Sequence, residues 1–285
     1  MNLKRFFAPK FAIKFFVFAV LLYFVPLAAL SYFQEALIFL PSSEHVDNPE
    51  ELGLTDMQIV SIKTPDGLML QDWFRPPTNG DKYTVVLFHG SFVNLRFIAL
   101  IIPFLQKSDH GLFLCEYRGF GASPGSPTEQ GVYTDARAAV EWLAKNGHPA
   151  DHLIFYGSSL GTGVAVEMAV ETPPAMVILH SPYARLYDVV KRLFPFYPIN
   201  FLLRNRFDSV DKIGKIHAPV LILHGDDDSI IPIANARKLF EAANHPKYFI
   251  EAKGWGHNDL FFNKVIYKRI GAWIDQQIAL IDASH

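Results

Sequence analysis

Leu153-Ile154-Phe155-Tyr156-Gly157-Ser158-Ser159-Leu160-Gly161-Thr162-Gly163 decides the fold class of this chain. A short apolar run of strand length ends in a serine framed by glycine two residues before and two after, and a helix-like segment follows. A serine hydroxyl attacks a carbonyl only when it is exposed and activated. A sharp strand-to-helix turn gives the exposure by forcing Ser159 into strained backbone angles. Such a turn crowds its neighbours, a steric reason for Gly157 and Gly161 to lack side chains. The same letters fit a plain glycine-rich turn before a helix, so the surrounding pattern has to choose.

That pattern is regular. Apolar runs at 84–88, 112–116, 153–156, 176–179 and 220–223 read as buried parallel strands, and they alternate with helical patterns at about 94–107, 129–146, 160–171 and 232–243. Upstream, 57–63 and 68–74 flank Pro65-Asp66-Gly67 as the two strands of a hairpin. The expectation is an α/β fold: a mostly parallel central sheet with helices on both faces and loops at the strand carboxyl ends available for chemistry. With 285 residues, 50% of them hydrophobic, one such domain over 51–285 buries a sufficient core. Residues 181–216 break the alternation with the apolar stretch Leu193-Phe194-Pro195-Phe196-Tyr197-Pro198-Ile199-Asn200-Phe201-Leu202-Leu203. This insertion is either a small cap that lines an acyl pocket through Phe194, Phe196 and Tyr197, or a helical excursion packed on the sheet.

A serine needs a neutral imidazole to accept its proton and a carboxylate to hold that imidazole in the right tautomer. On folds with such a turn, the chain order is serine, acid, histidine. Asp228 in His224-Gly225-Asp226-Asp227-Asp228 follows the 220–223 strand, and His257 in Gly254-Trp255-Gly256-His257 follows a strand at 248–252. Asp226 and Asp227 are rivals for the acid, and Asp135, in a helix, reads as structural. His89 and His224 also end strands, but each precedes a glycine and opens a loop whose backbone matters more than its imidazole. Acyl transfer also needs donors for the developing oxyanion. The backbone N–H of Leu160, at a helix start, and that of Ser91, in the loop after strand 84–88, are the candidates. Phe92 beside it is a candidate substrate contact, with a plain turn as the alternative.

The amino-terminal segment sets the location. Residues 15–33 are almost wholly apolar and about 28 Å long as a helix, close to the about 30 Å of a hydrocarbon core. Lys4, Arg5, Lys10 and Lys14 precede the run, and the next Lys or Arg is Lys63, so the positive-inside rule places the amino terminus in the cytoplasm and the remainder outside it. Residues 1–34 are thus expected to be a single-pass signal anchor, with 35–50 a linker. The competing reading is a cleaved secretory leader, ending near Leu27-Ala28-Ala29.

Composition excludes other classes. A formal charge of -2 without long like-sign runs leaves no electrostatic footprint for nucleic acid. Cys115 is the only cysteine, which removes an intrachain disulfide or a cysteine-based zinc site, and the aspartate triplet lacks the spacing of a cation loop. No metal and no cofactor are expected; the expected partners are a small-molecule or lipid-like acyl substrate and the membrane. The oligomeric state is open.

Over about residues 51–280 the chain resembles the α/β-hydrolases, most specifically the membrane-anchored branch of α/β-hydrolase-domain serine hydrolases with a serine-aminopeptidase-like profile. The resemblance rests on Leu87-Phe88-His89-Gly90, Glu116-Tyr117-Arg118-Gly119-Phe120-Gly121-Ala122-Ser123, Gly157-Ser158-Ser159-Leu160-Gly161, Lys191-Arg192-Leu193-Phe194-Pro195-Phe196, Arg204-Asn205-Arg206-Phe207-Asp208-Ser209, His224-Gly225-Asp226-Asp227-Asp228 and Gly256-His257-Asn258-Asp259. It implies the fold and a Ser159–Asp228–His257 triad forming an acyl-enzyme. Ser91 stands where such proteins often carry Asn, which keeps the backbone donor but not that side chain. Arg118 is expected to shape a turn, with a substrate anchor as the other reading. Ester or thioester hydrolysis of the carboxylesterase, lipase or depalmitoylase kind leads; an aminopeptidase-like peptidase and a non-catalytic scaffold are the alternatives.

Overall fold

In the computed structural model, residues 9–42, 48–79, 82–91 and 109–283 are described, with side chains in the first segment from residue 12. The hairpin of β1 (Gln58–Lys63) and β2 (Met69–Arg75) is antiparallel, and β2 pairs antiparallel with β4 (Gly111–Cys115). From β4 the sheet runs parallel through β3 (Thr84–Phe88), β5 (Leu153–Ser158), β6 (Met176–His180), β7 (Val220–Gly225) and β8 (Lys247–Ala252). The resulting order is β1-β2-β4-β3-β5-β6-β7-β8. Every residue of β3 to β7 is buried, which is why these strands read as unbroken apolar runs.

The period of two sorts side chains into two cores. Val86, Phe88, Phe113 and Phe155 face one layer, while Val85, Leu87, Leu112 and Ile154 face the other. The helices are α1 (Pro9–Tyr32), α2 (Gln34–Phe39), α3 (Glu129–Lys145), α4 (Gly161–Glu171), α5 (Leu186–Leu193), α6 (Ile199–Leu202), α7 (Ala234–Ala242) and α8 (Lys264–Asp282). Val132, Leu143, Val164 and Leu239 bring α3, α4 and α7 into the first core. Ile266, Ile270, Trp273 and Ile274 bring α8 into the second. Thr128 starts α3 by accepting from Gly131 N–H, and Asn263 starts α8 by accepting from Val265 and Ile266 N–H. The reading from sequence omits α8, although its stripe has helical spacing; the pattern at 94–107 lies outside the described residues.

One segment departs from expectation. Residues 35–50 do not begin as a linker: α2 is a helix whose Gln34 and Phe39 are buried, Phe39 lying 6.2 Å from the Phe207 ring. A free linker would leave these groups in water; here the helix has a hydrogen-bonded seat on the insertion. The insertion between β6 and β7, called the cap below, carries α5 and α6, and its side chains line the same cavity as Ser159. Before it, α1 contains the 21-residue stretch Ala12–Tyr32, apolar and long enough to cross a membrane.

Candidate active site

At the carboxyl end of β5 the chain turns sharply into α4, and Ser159 at the turn has φ 49°, in the left-handed region. For a residue with a side chain this is a strained conformation, held here by crowding on both sides. A Cβ on Gly161 would stand 2.0 Å from the Phe88 carbonyl oxygen, and one on Gly157 would meet the Gly161 carbonyl oxygen at 2.6 Å. Both contacts are impossible for real atoms. Ser159 N–H donates to His180 O at 2.9 Å, tying the turn to the neighbouring strand.

The structure brings Ser159, His257 and Asp228 together. Ser159 Oγ lies 2.9 Å from His257 Nε2, and His257 Nδ1 lies 2.6 Å from Asp228 Oδ2. A carboxylate opposite Nδ1 fixes the proton there, so Nε2 presents its lone pair to the serine hydroxyl. Asp228 Oδ1 accepts from the N–H groups of Ile230 and Ile231 at 2.9 and 2.8 Å. Burial works to raise the Asp228 pKa, but hydrogen bonds from His224 and His257 outweigh it and hold the carboxyl below the usual range. The neighbours in the triplet do other work: Asp226 Oδ1 accepts from Gly254 N–H at 2.6 Å, and Asp227 is exposed. His257, on the loop that Gly254 opens, is thereby pinned from below.

His89 and His224, for which the loop backbone is expected to matter more than the imidazole, both use their rings. His224 Nε2 lies 2.7 Å from Ile231 O and 3.2 Å from Asp228 Oδ2. Buried His89 bridges Glu116 Oε1 at 2.9 Å and Gly90 O at 2.8 Å, bracing the loop that contains Ser91. The Ser91 hydroxyl donates to Ile38 O in α2 at 2.6 Å, so its side chain holds the loop rather than pointing at a reacting atom. Leu160 and Ser91 both border the cavity above Ser159. The N–H of Leu160 stands at the open amino-terminal end of α4, where backbone donors lack intrahelical partners. Arg118 does not reach the site: its guanidinium is spent on Asp66 and on Asp135, at 2.7 and 2.8 Å, and shapes a turn as expected.

Above the serine is a cavity of about 650 Å³. Phe194 and Tyr197 line it. Phe196 does not; it is 86% exposed, because the turn after α5 sends side chains 194 and 197 inward and 196 outward. Phe92 lies outside the described residues. The reading from sequence missed the opposite wall, Leu27, Leu30 and Ser31 of α1 with Gln34, Leu37 and Ile38 of α2. An apolar span carries no mark distinguishing a side that faces lipid from one that faces a cavity. It also missed His180 at the end of β6, whose Nδ1 meets Tyr156 Oη at 2.8 Å and whose ring lies 4.3 Å from Phe261. Burial, with the nearby His257 and His224, pushes the His180 pKa down to about 3. Its place at a strand carboxyl end, shared with His89 and His224, was the available signal.

Among the described residues lining the cavity there is no Asp, Glu, Lys or Arg, and no cluster suited to a metal ion occurs among the described residues. The arrangement suits an uncharged apolar group delivered to an activated hydroxyl.

Comparisons with known proteins agree with this fold. The family described as serine aminopeptidase, S33, matches residues 80–205. An uncharacterised protein of Mycobacterium tuberculosis is 36% identical over 229 residues, covering 79% of this chain and 81% of that protein. Human alpha/beta hydrolase domain-containing protein 17B is 34% identical over 201 residues, covering 69% of this chain and 68% of that protein. Among solved structures, an esterase of Pyrococcus furiosus superposes with a TM-score of 0.69 at 20% identity, covering 84% of this chain and 99% of its own. The esterase domain of a Rhodothermus marinus protein superposes with a TM-score of 0.60 at 21% identity, covering 78% of this chain and 99% of its own. Turn, sheet order and relatives lead to one conclusion: the chain belongs to the α/β-hydrolase superfamily.

Proposed function

We propose that this hydrolase is a membrane-anchored serine enzyme that cleaves carboxylic esters or thioesters of apolar acyl groups through an acyl-enzyme. The carrying observation is the unbroken hydrogen-bonded line from Ser159 Oγ through His257 to Asp228, opening onto an apolar cavity. As Oγ attacks the carbonyl carbon, its proton passes to His257 Nε2, and ionised Asp228 stabilises the imidazolium. The backbone N–H groups of Leu160 and Ser91 receive the oxyanion; losing one such donor costs about 10²–10³ in kcat. Collapse of the tetrahedral intermediate expels an alcohol or thiol, which takes the proton from His257. Water then gives a proton to the same nitrogen while attacking the acyl carbonyl, and the carboxylic acid leaves as Ser159 recovers its hydrogen.

The family description favours a second reading, an aminopeptidase. Such an enzyme holds a free ammonium group, and the described cavity lining offers no carboxylate for it. The apolar acyl reading therefore leads. In this proposal α1 is an uncleaved anchor with Lys10 and Lys14 on the cytoplasmic side and the hydrolase part on the other. Retention is supported by Leu27, which borders the cavity and which a cleavage after Ala29 would remove.

A fluorophosphonate probe on the full-length protein tests the chemistry: the wild type is expected to label at Ser159 and Ser159→Ala to take none. Absence of label on folded wild type overturns the reading. Rates on p-nitrophenyl acyl esters against aminoacyl amides separate esterase from peptidase, and faster turnover of the amides would favour the second reading.

A further inference from the structure

The cap touches α1 far below the end of the span. Tyr23 Oη donates to Phe196 O at 3.0 Å, and the Tyr23 and Tyr197 rings lie 5.3 Å apart. From Ala12 to Tyr23 a helix rises only about 17 Å, too little for a hydrocarbon core of about 30 Å, whereas the 21 residues of Ala12–Tyr32 rise about 31 Å. If α1 crosses the bilayer, the stretch above Tyr23 has to lie in lipid, and the cap tip beside it goes in as well.

The tip is built for that. Leu193, Phe196 and Phe201 are 62%, 86% and 88% exposed, a concentration of large apolar side chains that water does not explain. The cations beside the tip are both tied to carbonyls: Lys191 is folded back so that its ammonium donates to Pro195 O and Tyr197 O at 2.6 and 3.2 Å, and the exposed Arg192 donates to Ser229 O and Ile230 O at 2.8 and 3.4 Å. The cavity rim is apolar too: Leu37, Leu40 and Phe262 border it and are 51%, 44% and 59% exposed.

The corner between α1 and α2 is latched to the cap. Gln34 Nε2 donates to Leu202 O at 3.1 Å, Gln34 Oε1 accepts from Arg204 N–H at 2.8 Å, and Glu35 takes the Arg204 guanidinium at 3.0 and 2.6 Å. Anchor, cap and cavity therefore form one body.

We infer that α1 is a wall of the acyl site as well as a tether. The cap tip is immersed in the bilayer, and the substrate is a long-chain acyl ester or thioester whose chain already resides in that leaflet and enters from lipid. This rests on the anchored-hydrolase reading for its chemistry, but the immersion is measured without catalysis.

Full-length protein in phosphatidylcholine vesicles supplies the test. Phe196→Cys and, as a water-facing control, Lys145→Cys carry a nitroxide; Cys115 is buried and its thiol pKa is raised by desolvation, so it stays unlabelled. The label at 196 is expected to relax at least tenfold more with dissolved oxygen relative to a water-soluble nickel chelate than the label at 145. Equal ratios overturn the immersion. For the wall, Leu30→Trp and Leu27→Trp are each expected to lower the ratio of p-nitrophenyl palmitate to acetate hydrolysis at least tenfold, with Phe24→Trp, on the exposed side, leaving it unchanged. An unchanged ratio in both wall variants overturns that role. Wild type that takes no fluorophosphonate and cleaves no ester defeats the chemistry alone, while the nitroxide ratios still decide the immersion.

Discussion

The two sides of Ser159 are built from different materials. Beneath it, His257, Asp228, His224 and His180 are buried, and Asp228 alone receives two backbone N–H groups and two imidazoles within 3.2 Å. Above it, α1, α2 and the cap meet through apolar side chains, with the latch at Gln34 and Glu35 as the main polar tie. Polar networks at close quarters fix geometry and tolerate no substitution, while apolar walls fix shape and tolerate exchange. In the proposed reaction the lower side therefore sets what chemistry is done and the upper side what is brought to it.

The largest expected effect breaks the lower side. Asp228→Asn is expected to lower kcat about 10⁴-fold by leaving His257 in the wrong tautomer, measured on a short acyl ester, while Asp226→Asn stays within about tenfold of wild type. Full activity in Asp228→Asn would show that the acid lies elsewhere. Next, Gly161→Ala forces a methyl into the Phe88 carbonyl and is expected to destabilise by about 3 kcal/mol or more, read from urea unfolding.

Acid sharpens the comparison further. The folded-state pKa of His180 is lowered to about 3, so between that value and about 6.5 the unfolded chain binds a proton that the native chain refuses. Stability contributed by the neutral ring is present above about pH 6.5 and is lost as pH falls, at about 1.4 kcal/mol per pH unit. His180→Gln is expected to flatten the stability profile between pH 6.5 and 4.5 by that slope; an unaltered slope would remove His180 from the account. The smallest effect belongs to the upper side. Glu35→Gln breaks a half-exposed ion pair and is expected to cost less than about 1 kcal/mol in stability while raising KM for long-chain esters.

The same division explains what could be read from the sequence. A strained turn needs small residues at fixed neighbours, so Gly157, Ser159 and Gly161 carry their geometry in adjacent letters. Fully buried parallel strands write themselves as apolar runs, and the loops at their ends locate Asp228 and His257 by order alone. The wall is another matter. Gln34 and Leu202 stand 168 residues apart in the chain, and nothing local to either announces the bond. An aromatic stripe likewise gives no sign of which members turn inward; in the cap Phe194 and Tyr197 do, and Phe196 does not. His180 reads as one more histidine at a strand end until the fold places it beside His257.

One hydrogen bond, from the Ser91 hydroxyl to the Ile38 carbonyl, bears on how a truncated form would behave. A fragment beginning after Phe39, trimmed to gain solubility, would still contain Ser159, His257 and Asp228 and still bear the hallmarks of a hydrolase. It would also lack the cavity wall that α1 and α2 supply, and would have a slack strap under the loop that carries Ser91. Chain-length preferences measured on such a fragment would describe the fragment.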